Sequence, residues 1–275
     1  MSDPSDPDGP QAFFRALSTA FSGTLQAGGA PAVEAVLRQA WDSFDGNVAI
    51  QSEGQPPLAC QKGCPSCCSL RVTALAPEVF MVAAFVRATA PALIPHGIDL
   101  AERVRAADAA TRGLDEQARV ALRQPCPFIA RGACVIHRVR VLACRGHASL
   151  DRRACADAAA GRVQEVPFSG PHRTVRLLVQ SALQAALRTQ RLAWGAYELN
   201  HALVLALDAP RAAARWLAGD DPLADAAADA DQQDAIAAWF DEVLNPWQEQ
   251  TISRWEGPDG NLKSERGHRC NATGP

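Results

Sequence analysis

Apolar side chains recur along much of this chain at intervals of three and four. Phe14, Leu17, Phe21 and Leu25 form one stripe, and beyond the break "GGAP" Val33, Val36, Leu37, Ala40 and Phe44 form a second, so two amphipathic helices are expected ahead of the first cysteines. Pro77 and Glu78 suit the first turn of a third helix, at about 77–90, because proline fits the first helical position and a carboxylate favours the positive dipole end; Pro91 is expected to end it. A charged, alanine-rich segment at about 99–123 puts Val104, Ala107, Leu114 and Ala118 on one side, which reads as one further helix.

The cleanest helical period in the chain belongs to Val175, Leu178, Val179, Ala182, Leu183, Ala186 and Leu187, which marks a core helix. "YELNHALVLAL", "PRAAARWLAG" and "QQDAIAAWFDEVLNPW" each predict another, the second with Pro210 at its start and Gly219 at its end. Trp239, Trp247 and Trp255, with Phe240 and Leu244, fall near helical spacing and suit core packing or a partner groove. By contrast "PCPFIARGACVIHRVRVLACRGH" loses any period and reads as loops and short turns around a site. With almost no sustained alternation of β-branched and polar residues, the fold class is all-α: a helical domain with an irregular cysteine-rich metal-binding core of loops and short turns. The expected organisation is a flexible start over 1–10, one helical domain over 11–256 containing the cysteine region 58–155, and a flexible tail over 257–275.

Size and charge narrow the function. At 275 residues the chain is long enough to bury a core without covalent staples. Its 27 Lys and Arg against 30 Asp and Glu give a net charge of −3, which argues against a broad nucleic-acid or anionic-membrane surface. The arginines between 131 and 153 make a modest basic patch, but aromatic residues for base stacking are almost absent there. The opening "MSDPSDPDGPQAFF" lacks the basic and apolar regions of a secretory signal, and the apolar run "ALAPEVFMVAAFV" is too short to span a bilayer. The expectation is a cytoplasmic protein whose partner is one or more metal ions, with no nucleic acid and no membrane. In a reducing compartment, clustered cysteines serve as metal ligands or redox groups more often than as structural disulfides.

Eight of the nine cysteines fall into two blocks: Cys60, Cys64, Cys67 and Cys68 in "CQKGCPSCC", then Cys126, Cys134, Cys144 and Cys155. Cys270 stands apart in the polar tail. The helical excursion between the blocks returns the chain near its departure point, so both can reach one site. Thiolates from two segments are a usual way to build a zinc or iron–sulfur site. Cys64 and Cys67 form a C-x2-C pair, whereas the side chains of adjacent Cys67 and Cys68 are expected to diverge, so Cys68 would serve a second metal or another iron of a cluster. Eight thiols exceed one tetrahedral shell. A polynuclear centre, two separate ions, or one cluster with spare thiols all remain open.

His137 and His147 each follow a cysteine by three and can add an imidazole; either can equally be a hydrogen-bonding histidine. Glu78 can be a ligand, a proton-transfer group, an acceptor behind the ligands, or simply a helix N-terminal carboxylate. Arg145, beside Cys144, can steady thiolate charge, bind an anionic substrate, or make a surface ion pair.

"CQKGCPSCC", then Glu78, then "CPFIARGACVIHRVRVLACR" resembles the YkgJ cysteine-cluster family, described as zinc- or iron-chelating, with a related cluster in flagellin lysine N-methylases. The match is carried by Cys64, Cys67, Cys68, Cys126, Cys134, Cys144 and Arg145 over about residues 58–155. The family usually has tyrosine where His137 stands and an arginine–proline pair at Arg140 and Val141. The resemblance implies chelation of iron (mononuclear, multinuclear or iron–sulfur) or zinc, and allows an iron-dependent redox or methyltransferase-like reaction; it names no substrate. A glycine-rich phosphate loop, a G-x-S-x-G elbow and an H-E-x-x-H helix are all absent.

Overall fold

The computed structural model describes residues 9–61, 63–162, 165–228 and 230–244. The described chain is mostly helical, with 63% helix and 6% strand. Its elements are α1 (Pro10–Leu25), α2 (Gly29–Gln51), β1 (Thr73–Leu75), α3 (Ala76–Leu93), α4 (Leu100–Thr111), α5 (Glu116–Leu122), β2 (Ile129–Ala130), β3 (Ala133–Cys134), α6 (Leu142–Gly146), α7 (Arg152–Ala159), α8 (Gly170–Thr189), β4 (Ala196–Glu198), α9 (Leu199–Asp208), α10 (Ala212–Leu217) and α11 (Gln233–Leu244). Cys270, Trp247, Trp255, the expected tail over 257–275 and residues 1–8 of the expected flexible start lie outside the described residues, while Pro10, placed in that start, already begins α1.

The helical periods of the sequence become the frame. Phe14, Phe21 and Leu25 of α1 and Val36, Leu37, Ala40 and Phe44 of α2 are buried, and both helices pack on α8, which buries Val175, Val179, Ala182, Leu183, Ala186 and Leu187. A single cluster of buried apolar side chains runs from Phe14 to Val243. At one end Phe240 of α11 stacks on Phe14, with ring centroids 5.7 Å apart.

The middle of the chain departs from expectation in three places. First, α3 does not stop before Pro91. The proline falls in the last turns, where its missing N–H removes only one bond, and the Ile94 N–H still donates to the Ala90 carbonyl. The helix and the 3₁₀ turn beyond it span Ala76–His96, 21 residues that include an 18-residue stretch of mean hydropathy 1.4. By length and composition this segment is sufficient to cross a bilayer, so the shorter window 74–86 understated it. Its first half, however, packs against α2, α4 and α9 and encloses Glu78 at 1% exposure. Second, the segment at 99–123 is two helices. Asp99 caps α4 by accepting from the Glu102 N–H at 3.0 Å. Asp115 starts α5 afresh by accepting from the Ala118 N–H at 2.7 Å.

Third, short strands occur that no periodicity announced. β1 and β4 pair antiparallel, with Thr73 opposite Glu198 and Leu75 opposite Ala196, tying the chain just beyond the first cysteine block to the start of α9. β2 and β3 form a hairpin whose two turn residues, Arg131 (φ 50) and Gly132 (φ 75), both have positive φ, as tight primed turns require.

Candidate metal centre

The first cysteine block is a run of tight turns. The Cys64 N–H donates to the Gln61 carbonyl at 3.1 Å and the Cys68 N–H to the Pro65 carbonyl at 2.8 Å. Gly63 (φ 84) lets this loop approach the hairpin: a Cβ there would sit 3.1 Å from the Gly132 carbonyl oxygen. The second block enters when the Cys126 N–H donates to the Cys68 carbonyl at 2.7 Å. Cys134 sits on β3, Cys144 on α6 and Cys155 on α7.

All eight cysteines of the two blocks line one cavity of about 1380 Å³. Cys67 and Cys68 do not diverge as expected. The two side chains meet: the Cys68 thiol hydrogen-bonds that of Cys67. That contact, with burial, pushes the Cys67 thiol far above its usual range, while the Arg140 guanidinium draws it back. Burial pushes Cys126 up to about 11, helped by the neighbouring Cys134 and Cys67 thiols. Burial also raises Cys144 and Cys134, against the pull of Arg140 in both cases. Cys67, Cys126, Cys134 and Cys144 are thus close enough to alter one another's ionisation, and Arg140 is the counter-charge of Cys67, Cys134 and Cys144. Its Nε is buried without a hydrogen-bond acceptor.

The other thiols stand further out. Cys60 is exposed and its sulfur accepts from the Ser149 N–H at 3.3 Å. Cys64 lies 3.7 Å from the Ser66 hydroxyl. Among the described residues, no three thiol, imidazole or carboxylate donors close around a common point at metal-ligand spacing. The donors fit a soft ion in kind, but they share a wall of the cavity rather than a closed shell.

Both histidines line the cavity, His137 exposed and His147 half-buried. His147 meets Phe168 edge-on at 4.7 Å, and burial with the nearby Arg176 holds it in the neutral form more firmly than usual. Glu78 and Arg145 are not among the lining residues. Glu78 instead joins two helix starts: one oxygen accepts from the Leu75 N–H at 3.0 Å, closing the N-terminal box of α3, and the other accepts from the Leu142 N–H at 2.6 Å, two residues from Cys144. Burial raises its carboxyl to about 7 against the pull of those two N–H groups. Arg145 lies over the Trp41 ring at 4.8 Å and pairs with Asp45 at 3.2 Å. It also donates to the carbonyls of Arg140 (2.9 Å) and Arg138 (3.2 Å), fixing the strand of chain that carries the thiols' counter-charge.

Sequence reasoning missed Arg173 and Arg176, which line the same cavity from the start of α8. The available signal was two cationic residues in the first two turns of a long helix, where the dipole disfavours them.

No protein-family model, no curated protein and no solved structure matches this chain.

Proposed function

We propose that this is a metal-binding cysteine-cluster protein, acting in a reducing, cytoplasmic setting and holding a zinc or iron centre on thiolates from its two blocks, as the resemblance to the YkgJ family implies. The observation that carries this reading is the convergence of all eight block cysteines on one cavity, with Cys67, Cys126, Cys134 and Cys144 electrostatically in touch. Those four would hold the ion, and Cys68, hydrogen-bonded to Cys67, is the natural bridge to a second metal atom. Burial keeps such thiols protonated, and a soft cation supplies the charge that ionises them. Bound there, zinc would order the cavity wall, whereas iron would add electron-transfer capacity. Because the thiols line a wall, binding draws loops inward, the behaviour of sites whose metal affinity is coupled to local folding.

The test is elemental analysis and a visible spectrum of protein purified without oxygen. Metal at one equivalent or more is expected, and folded, metal-free protein would overturn the proposal. Cys67→Ser should remove most of the metal and Cys270→Ser none; equal losses would count against the assignment.

A second reading, an iron-dependent redox or group-transfer enzyme, is favoured by the cavity itself, whose 1380 Å³ exceeds what an ion needs and reaches the size of substrate pockets. A coloured centre whose spectrum changes on reduction or with S-adenosylmethionine supports it; a colourless zinc protein with an unchanging spectrum does not.

A further inference from the structure

We infer that the cavity also binds a small organic oxyanion, a carboxylate- or phosphate-bearing molecule, on the guanidinium groups of Arg138, Arg173 and Arg176. Six arginines line the cavity against one carboxylate, Glu198. That excess is opposite in sign to the chain's net charge of −3, so it is a local feature that concentrates anions rather than a reflection of composition.

Three of the six are already engaged. Arg119 pairs with Glu198 at 2.8 Å, Arg71 pairs with Glu116 at 3.3 Å, and the charge of Arg140 falls on Cys67, Cys134 and Cys144. Arg138, Arg173 and Arg176 form no ion pair among the described residues. Arg176 is half-buried, hydrogen-bonds only the neutral Gln180 amide at 3.1 Å, and feels the repulsion of Arg173 against a weaker pull from the buried Glu78, with which it makes no ion pair. Both lie in the first two turns of α8, a 20-residue helix with no acidic residue in its first turn to balance them. An arrangement this unfavourable by itself is relieved by an anion that accepts from the guanidinium forks. Phe128 and Phe168 in the same lining give the ligand an apolar surface for its organic body.

The inference shares the cavity with the metal reading but stands on different side chains. Calorimetric titration of the purified full chain with inorganic phosphate, phenyl phosphate and benzoate tests it, with metal content measured on every sample. At least one of the two aromatic anions should bind, and tighter than inorganic phosphate; which one binds names the oxyanion. Arg173→Gln, at an exposed position, should weaken binding at least threefold, Arg173→Gln/Arg176→Gln at least tenfold, and Arg38→Gln, 62% exposed on α2, not at all. If neither aromatic anion binds the wild type, or the Arg173 variant binds as well as wild type, the inference fails. Metal retained without anion binding overturns this inference alone, and anion binding by folded, metal-free protein overturns the metal reading alone.

Discussion

Where α1, α2 and α8 meet, Phe14, Phe21, Val36, Leu37, Val179 and Leu183 each have 0% exposure, and side chains from three long helices fill the space between them. The cavity wall is anchored more thinly: Phe128, Ile136, Val141 and Leu142 reach the same buried cluster, but no long helix of its own stands behind them. Its cysteines are all at least partly accessible, its elements are two-residue strands, turns and the short helices α6 and α7, and its position depends on a few polar ties through Glu78, Arg145 and Ser149. Apolar burial makes the frame stable whatever the solvent contains. The wall shares that burial only through Phe128, Ile136, Val141 and Leu142, so the loops between these anchors rely more on hydrogen bonds.

Stripping the proposed metal with a chelator should separate the two regions most sharply. The segment 126–155 is expected to lose protection from proteolysis and hydrogen exchange while α1, α2 and α8 keep theirs; simultaneous loss would mean that frame and wall are one cooperative unit. Next in size, Phe14→Ala should lower global stability by about 3–5 kcal/mol in denaturant titration, without changing metal content per folded molecule.

Gly146→Ala acts on the seam between the regions. A Cβ there would stand 2.5 Å from the Arg176 Cβ, so α6 must shift from α8 at a cost of about 1–3 kcal/mol. Cys144 moves with it, and affinity for the proposed metal should fall although no cysteine has changed. Glu78 gives a smaller effect that depends on pH. Burial lifts its carboxyl from 4.5 to about 7 in the folded chain, so the protonated form is the one that folding favours. Its contribution is fully present below the unfolded value and is lost as pH rises through 7, by about 3 kcal/mol at most. Thermal melts of the wild type should show this decline across pH 4.5 to 7. Glu78→Gln, less stable for leaving one buried N–H unsatisfied, should show a flat profile there. Cys60→Ser should do least, because its sulfur faces the Ser149 backbone rather than the other thiols.

The same contrast explains what could be read without coordinates. The stripes of Phe14 to Leu25 and Val175 to Leu187 are written in a period of 3.6, and both form buried helix faces. β1, β4 and the hairpin are too short to carry an alternation. The split between α4 and α5 lay in caps, Asp99 and Asp115, that the weak apolar stripe obscured. For the site, thiol spacing pointed to both blocks. The contact between the Cys67 and Cys68 thiols, the role of Glu78 through its contact with Leu142, and the place of Arg173 and Arg176 on the cavity all depend on what folding brings together.

The hydrogen bond from the Cys126 N–H to the Cys68 carbonyl has a kinetic consequence. It joins points separated by all of α3, α4 and α5, so it cannot form until that whole excursion has folded back on itself, and the entropy of closing so long a loop falls on its formation. During synthesis the first four cysteines therefore emerge and wait, uncovered, until the second block has been made. In a refolding experiment, the thiols should stay open to alkylation after the helical signal has recovered, which makes the interval before loop closure the period of greatest risk from oxidation.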